Sequence, residues 1–308
     1  MGRVVVALGG NALLRRGEPA EADTQRRNVL GAASALAALA ADHELVVTHG
    51  NGPQVGLLAL EADAYKAVSP YPLDVLGAES QGMIGYLLVQ SLRNELPDRE
   101  VVAVLTQVVV DADDPAFASP TKPIGPVYAE EEARALARER GWTIAPDGAH
   151  FRRVVPSPEP TAIVELDAIA RLVGVGAVVV CTGGGGIPVV RDGLRLRGIE
   201  AVIDKDSSAA LLAAALDADR LVLATDVAHV ERGWGSHAAV PIEAATPAEL
   251  RGFTFAAGSM GPKVEAACRF VERTGRSAAI GALAELDAVI RGTAGTQIRR
   301  RGAVPTAA

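Results

Sequence analysis

Six short runs rich in valine, leucine and isoleucine punctuate this 308-residue chain, and alanine-rich stretches with helical spacing lie between them. The runs are RVVVAL (3–8), ELVVT (44–48), VVAVLTQVVV (101–110), AVVVC (177–181), RLVLA (220–224) and SAAI (277–280). They are apolar without polar alternation, the pattern of strands covered on both faces in a parallel sheet. Helical patterns fill 24–41, 53–65, 73–95, 162–173, 207–216 and 262–274. Parallel strands need crossover connections, usually helices, so the alternation predicts an α/β fold. One stretch breaks the rhythm. Residues 112–153 hold several prolines, a short charged helix and no strong buried strand, which predicts an excursion from the sheet, a flap or small subdomain. Loops longer than about 12–15 residues inside a compact domain are usually functional or disordered. No internal repeat is present.

With 49% hydrophobic and 22% charged residues, the chain can fill one large core or two smaller ones, which excludes global disorder and a long coiled coil. The formal net charge of −7 argues against nucleic acid or an anionic membrane as partner, because both are met by a basic face. Cys181 and Cys268 sit in apolar surroundings with neither CxxC spacing nor clustered histidines, so a zinc site or disulfide framework is not expected. The apolar start at 4–8 is too short for a secretory signal, and no segment reaches the ~20 apolar residues that cross a bilayer. The expected setting is a reducing cytoplasm.

Three glycine-rich turns close predicted strands: Gly9-Gly10-Asn11, His49-Gly50-Asn51-Gly52-Pro53, and Thr182 to Gly186. Open α/β sheets bind ligands at the edge where parallel strands end, and glycine there lets backbone N–H groups approach an anion. One such turn is explained by tight βα geometry alone; three on one edge point to a ligand. The common nucleotide fingerprints are absent. There is no GxxxxGK[ST], and glycines 183–186 lead into Ile187-Pro188 instead of opening a helix.

Among the 30 basic residues only four are lysines: Lys66, Lys122, Lys205 and Lys263. A chain that uses arginine for surface cations keeps lysine where a compact, mobile ammonium is needed, as beside a moving phosphoryl group. Lys205 and Lys263 stand at predicted helix starts, where a cation opposes the dipole unless an anion binds. Lys66, in EADAYKAV, fits a solvated surface cation. Asp204 and Asp206 flank Lys205, and Asp226 follows RLVLA. Asp206 suits a helix N-cap, or holds two lysines in place, or faces a phosphate-bound Mg²⁺. Of the five histidines only His49 lies in a motif, where it is expected to support the turn.

The segments ALGGNALL (7–14), HGNGPQVGLL (49–58), QGMIGY (81–86), PTKPIGPVY (120–128), RRVVPSPEP (152–160), GGGGIPVV (183–190), EAVIDKD (200–206), ATDVAHV (224–230) and GSMGPKVEAACRFVE (258–272) run in order along the chain. Together they resemble the carbamate kinases of the amino acid kinase superfamily. The resemblance implies a three-layer α/β/α sandwich on a mainly parallel open sheet of about eight strands, one domain over 1–308, with residues 112–153 as a protruding flap. It implies an acceptor half at 1–198, a nucleotide half at 199–308, and a homodimer. The implied reaction is reversible phosphoryl transfer between ATP and carbamate with Mg²⁺, giving ADP and carbamoyl phosphate; in arginine catabolism it runs toward ATP.

By resemblance, Gly9, Gly10 and Asn11 with Gly50, Asn51 and Gly52 cradle the phosphoryl group and carbamate. Lys122 reaches in from the flap, Lys205 and Lys263 neutralise phosphate charge, and Asp206 orients those lysines. Thr225, Asp226, Gly258, Ser259 and Met260 lie along the nucleotide, and no protein ligand to the metal is expected. Relatives acting on acylamino acids often carry a lysine just before the first glycine pair; Ala7-Leu8 offers none here, and Lys122 supplies that charge instead. Ser207-Ser208 and Ala228-His229 depart from the common pattern. Two alternatives stand beside this reading: a superfamily kinase for a larger acid, and a nucleotide-binding sensor or storage protein without catalysis.

Overall fold

The computed structural model describes residues 1–10, 13–14, 18–19, 21–65, 69–235, 239–256 and 258–300. Among them, in chain order, the strands are β1 (Gly2–Leu8), β2 (His43–His49), β3 (Val101–Ala103), β4 (Gln107–Val110), β5 (Lys122–Tyr128), β6 (Thr143–Asp147), β7 (His150–Val155), β8 (Pro160–Ile163), β9 (Val178–Val180), β10 (Ile187–Asp192), β11 (Arg195–Gly198), β12 (Arg220–Thr225), β13 (Val230–Arg232), β14 (Val240–Ile242), β15 (Ala244–Ala245), β16 (Ser277–Ala282) and β17 (Thr296–Ile298). The helices are α1 (Ala22–Ala40), α2 (Gly52–Ala64), α3 (Leu73–Glu95), α4 (Glu130–Arg140), α5 (Leu166–Gly174), α6 (Lys205–Ala215), α7 (Pro247–Arg251), α8 (Met260–Thr274) and α9 (Leu286–Arg291).

Eight strands form the main sheet in the order β15-β17-β16-β12-β1-β2-β9-β3. All neighbours run parallel except β16 and β17. Side chains alternate across a strand, so β1 feeds two cores. Val4, Val6 and Leu8 pack with Leu36 of α1, Leu88 of α3 and Val289 of α9. Val5 and Ala7 join the opposite core with Ile169 of α5, Leu212 of α6 and Phe270 of α8. Helices thus cover both faces, which is why the sequence shows unbroken apolar runs, and the three-layer α/β/α sandwich is the observed architecture.

Three expectations change. The run 101–110 is two strands in two sheets: β3 edges the main sheet, and β4 lies between β10 and β8 in a second sheet, β11-β10-β4-β8. Between them the backbone of Thr106 is held by the Gln81 amide, whose Oε1 accepts from Thr106 N at 2.9 Å and whose Nε2 donates to Thr106 O at 3.1 Å. Residues 162–173 are not one helix but the end of β8 followed by α5. The carboxylate of Glu165, just ahead of α5, accepts from Gln107 N at 2.7 Å and so ties the break to β4. Finally, the proline-bearing excursion contains an antiparallel sheet, β5-β7-β6, flanked by α4. Its buried residues are few: Ile124, Ala133, Val154 and Val155. Pro123 and Pro126 lie in β5 and Pro146 in β6, both edge strands, where proline interrupts the fewest ladder bonds.

This small lobe packs on α2, with Ile124 and Val155 sharing a core with Val55 and Ala59, and two further contacts join them. Gly125, in left-handed conformation at φ +72°, approaches Gly56 so closely that a Cβ on Gly56 would lie 2.1 Å from the Gly125 backbone. Arg140, in the last turn of α4, forms an ion pair with Asp63 of α2.

Candidate active site

The parallel strands β1, β2 and β12 end in register: Leu8 stands beside His49 on one side and Ala224 on the other. The glycines that follow are therefore laid edge to edge. Gly9 N donates to Ala224 O at 3.0 Å and Gly50 N to Leu8 O at 3.1 Å. A Cβ on Gly50 would lie 3.3 Å from Cδ of Lys205 and 3.4 Å from Gly10 N. Gly50 thus seats the lysine stem against the first glycine turn, and any other residue there would press on it.

From Gly50 the chain enters α2. Asn51 is the N-cap but its side chain makes no cap bond, so N–H groups of the first helical turn remain for a ligand. The Asn51 amide instead donates to Ser80 Oγ at 2.7 Å and packs on Gly184, where a Cβ would fall 2.1 Å from Asn51 Nδ2. Gly184 also has φ +64°, so the 183–186 glycines bring the backbone close as well as turning it. Ser208 Oγ donates to Gly185 O at 2.6 Å and locks α6 against this turn. His49 is buried, with Nδ1 3.0 Å from Gly50 O. Burial drives its pKa down to about 4 against that hydrogen bond, so the ring is neutral and supports the turn as expected.

Lysines from two helices and the lobe converge here. Asp206 is buried in the first turn of α6; its Oδ1 lies 2.5 Å from Lys205 Nζ and its Oδ2 3.0 Å from Lys263 Nζ, which comes from the first turn of α8. Burial opposes ionisation of Asp206, but the two ammonium groups outweigh it and hold the carboxyl below its ordinary range. The same burial lowers Lys205 to about 8, against the pull of Asp206 and with the help of Lys263. Lys263 shifts the other way, because Asp206 more than offsets its desolvation. Lys122, the first residue of β5, places Nζ 2.5 Å from Asp204 Oδ2.

The N-cap of α6 is a correction. Asp204, not Asp206, caps the helix, accepting from Asp206 N at 2.9 Å and Ser207 N at 3.2 Å. That leaves Asp206 free to bridge the two lysines. With the helix expected to begin at residue 207 the cap position fell on Asp206; the helix begins two residues earlier, at Lys205, and the cap moves with it.

Of the other residues expected at the site, Thr225 and Asp226 close β12, with Thr225 Oγ1 3.1 Å from Asp226 Oδ1. Gly258, Ser259 and Met260 lead into α8, whose N-cap Ser259 makes no side-chain cap bond. Asn11 and Lys66 lie outside the described residues. Ser80, Ser208 and Asp204 are contributions the sequence motifs did not assign. Among the described residues no group of three or more His, Cys, Asp and Glu could hold a metal ion, and both carboxylates in the cleft are bonded to lysines.

What results is an anion cleft: backbone N–H groups at the glycine edge face the ammonium groups of the lysine cluster, with neutral His49 behind the turn. Such a site can bind and stabilise a transferring phosphoryl group, and the described residues offer no evident general base.

Comparison with known proteins agrees with that chemistry. The profile of the Amino acid kinase family matches residues 2–282. A protein named carbamate kinase from Rhizobium meliloti (strain 1021) is 55% identical over 300 residues, covering 96% of this chain and 93% of that protein. The carbamate kinase from Giardia lamblia bound to citric acid superposes with a TM-score of 0.92 at 41% identity, covering 97% of this chain and 99% of that one. The same Giardia lamblia enzyme bound to AMP-PNP gives a TM-score of 0.88 over the same shares.

Proposed function

The chain belongs to the amino acid kinase family and, within it, to the carbamate kinases, and from that premise we propose how its residues divide the work of moving a phosphoryl group between nucleotide and carbamate. Carbamate carries an anionic oxygen already, so no base is needed to make the nucleophile. The obstacle is bringing two anions together in line and neutralising the charge on the group in flight. Backbone N–H groups around Gly9 and Gly10, with Asn11, and around Gly50, Asn51 and Gly52 cradle the phosphoryl group and carbamate. Lys205 and Lys263 neutralise phosphate charge, and Asp206 fixes their spacing. Lys122 acts on the transferring group from the lobe. Thr225, Asp226 and Gly258 to Met260 line the nucleotide.

The remaining assignments are of the same kind. Residues 1–198 form the acceptor half and 199–308 the nucleotide half, with 112–153 closing over the cleft between them. Mg²⁺ enters on the nucleotide's phosphates and water. The protein works as a cytoplasmic homodimer in arginine catabolism, toward ATP. No helix of the described residues is long and apolar enough to cross a membrane.

One observation carries the reading most directly: a single buried carboxylate, Asp206, bridges lysines from α6 and α8 beside the glycine edge. The test is a coupled assay for ATP formed from carbamoyl phosphate and ADP with Mg²⁺. Turnover is expected with these substrates. No ATP above the uncatalysed rate, with acetylglutamate phosphorylated instead, would sink the assignment.

A further inference from the structure

The two carboxylate oxygens of Asp204 have different partners. Oδ1 caps α6 by accepting from Asp206 N and Ser207 N, and Oδ2 lies 2.5 Å from Nζ of Lys122, which stands 82 residues earlier in the chain. A cap needs one acceptor oxygen, and serine or asparagine supplies it as well as aspartate does. The negative charge and the second oxygen serve the lobe. Because the cap bonds fix the carboxylate plane, Oδ2 has one direction to face, and the ammonium it holds is kept at the start of α6, the helix whose first two residues are Lys205 and Asp206.

We propose that Asp204 is a positioning residue for Lys122: anchored by its own helix cap, it draws the lobe's ammonium into the anion cleft before substrate binds. This rests on the reading that Lys122 acts on the transferring group. A free lysine side chain loses rotamer freedom on being fixed. Through its bond to Asp204, Lys122 is ordered ahead of the reaction. Burial pushes the Asp204 carboxyl up, but Lys122 and Lys205 outweigh it and hold the group well below the usual carboxylate range, so the tie persists at working pH. Charge decides how its loss will register. Within this cluster, Lys122, Lys205 and Lys263 against Asp204 and Asp206 leave one net positive charge. Neutralising Asp204 raises that to two, which favours anion binding while setting Lys122 loose. Turnover and affinity should therefore part company.

Asp204→Asn keeps a good cap and removes the charge. Expected are a fall in kcat of about tenfold, a size ordinary for coupled charged neighbours, and KM values for ADP and carbamoyl phosphate that are unchanged or lower. The double variant Lys122→Ala/Asp204→Asn should turn over no more slowly than Lys122→Ala alone. Wild-type kcat in Asp204→Asn, or losses that multiply in the double variant, overturn the inference. So does a raised KM for both substrates with a lowered melting temperature in both Asp204→Asn and Asp204→Ser, since that is the signature of a cap and nothing more. If Lys122→Ala itself turns over like the wild type, the role given to Lys122 falls and this inference with it; loss in Lys122→Ala with none in Asp204→Asn removes the inference alone.

Discussion

Lys205 sits in the first turn of α6, where the helix dipole already disfavours a cation, and burial disfavours it further. Its pKa of about 8 has two consequences of opposite sign. In the free enzyme the ammonium is lost as pH rises past about 8, so kcat/KM should fall on the alkaline side near that value. Lys205→Arg, slower at every pH, should lack that limb; an unchanged alkaline limb in the arginine variant would assign it elsewhere. Stability moves the other way. Between about 8 and the ordinary 10.5 the unfolded chain keeps a proton the folded chain has released, so the contribution of Lys205 to stability grows with pH across that window. Melting temperatures of the wild type and Lys205→Met should therefore diverge in favour of the wild type from pH 8 to 10.5.

At the scale of elements, the lobe's placement depends in part on the contact of Gly56 in α2 with Gly125 in β5, the strand that begins with Lys122. A methyl at position 56 meets backbone, which cannot swing aside as a side chain can. Gly56→Ala should cost about 1–3 kcal/mol if the strain is absorbed in place. If instead β5 shifts, turnover should drop roughly tenfold or more, since small misplacements of a reacting group are expensive. Far-ultraviolet circular dichroism and kcat together distinguish the two, and a variant with wild-type melting and wild-type turnover would show the contact to be dispensable. How well each element could be read from sequence follows from where its apolar residues face. Strands β1, β2, β3, β9, β12 and β16 of the main sheet announced themselves because both faces are covered, whereas β15 and β17, two and three residues long, did not. β5, β6 and β7 did not, because their sheet has a small core and its edge strands carry prolines. Residues 101–110 read as one strand because the break at Val104 to Thr106, where Gln81 holds the Thr106 backbone, has no glycine or proline to mark it. In the cleft, Lys122, Lys205, Asp206 and Lys263 were legible from motif context, whereas the partnership of Lys122 with Asp204 spans 82 residues and has no local signature.

Across the whole molecule, the two cysteines report on opening. Cys181, at the end of β9, and Cys268, within α8, are free and buried, and burial pushes their thiols up to about 12 and about 11. Native protein should react negligibly with a maleimide at neutral pH, and denatured protein should titrate two thiols. ADP with Mg²⁺ should slow any native reaction further, because ligand binding lowers the population of open states. Fast labelling of the native protein would show that the core breathes around α8 or β9. The order of the sheet has a bearing on how the chain is made. β1 leaves the ribosome ahead of the other strands of its sheet, yet it lies in the interior, between β2 and β12. Its pairing with β2 is available early, but its other edge waits for Arg220 to Ala224. Until then the nascent chain carries an apolar strand with an open row of backbone donors and acceptors, an invitation to association with other chains. Truncations ending before residue 220 are for that reason the forms a cell's chaperones must hold.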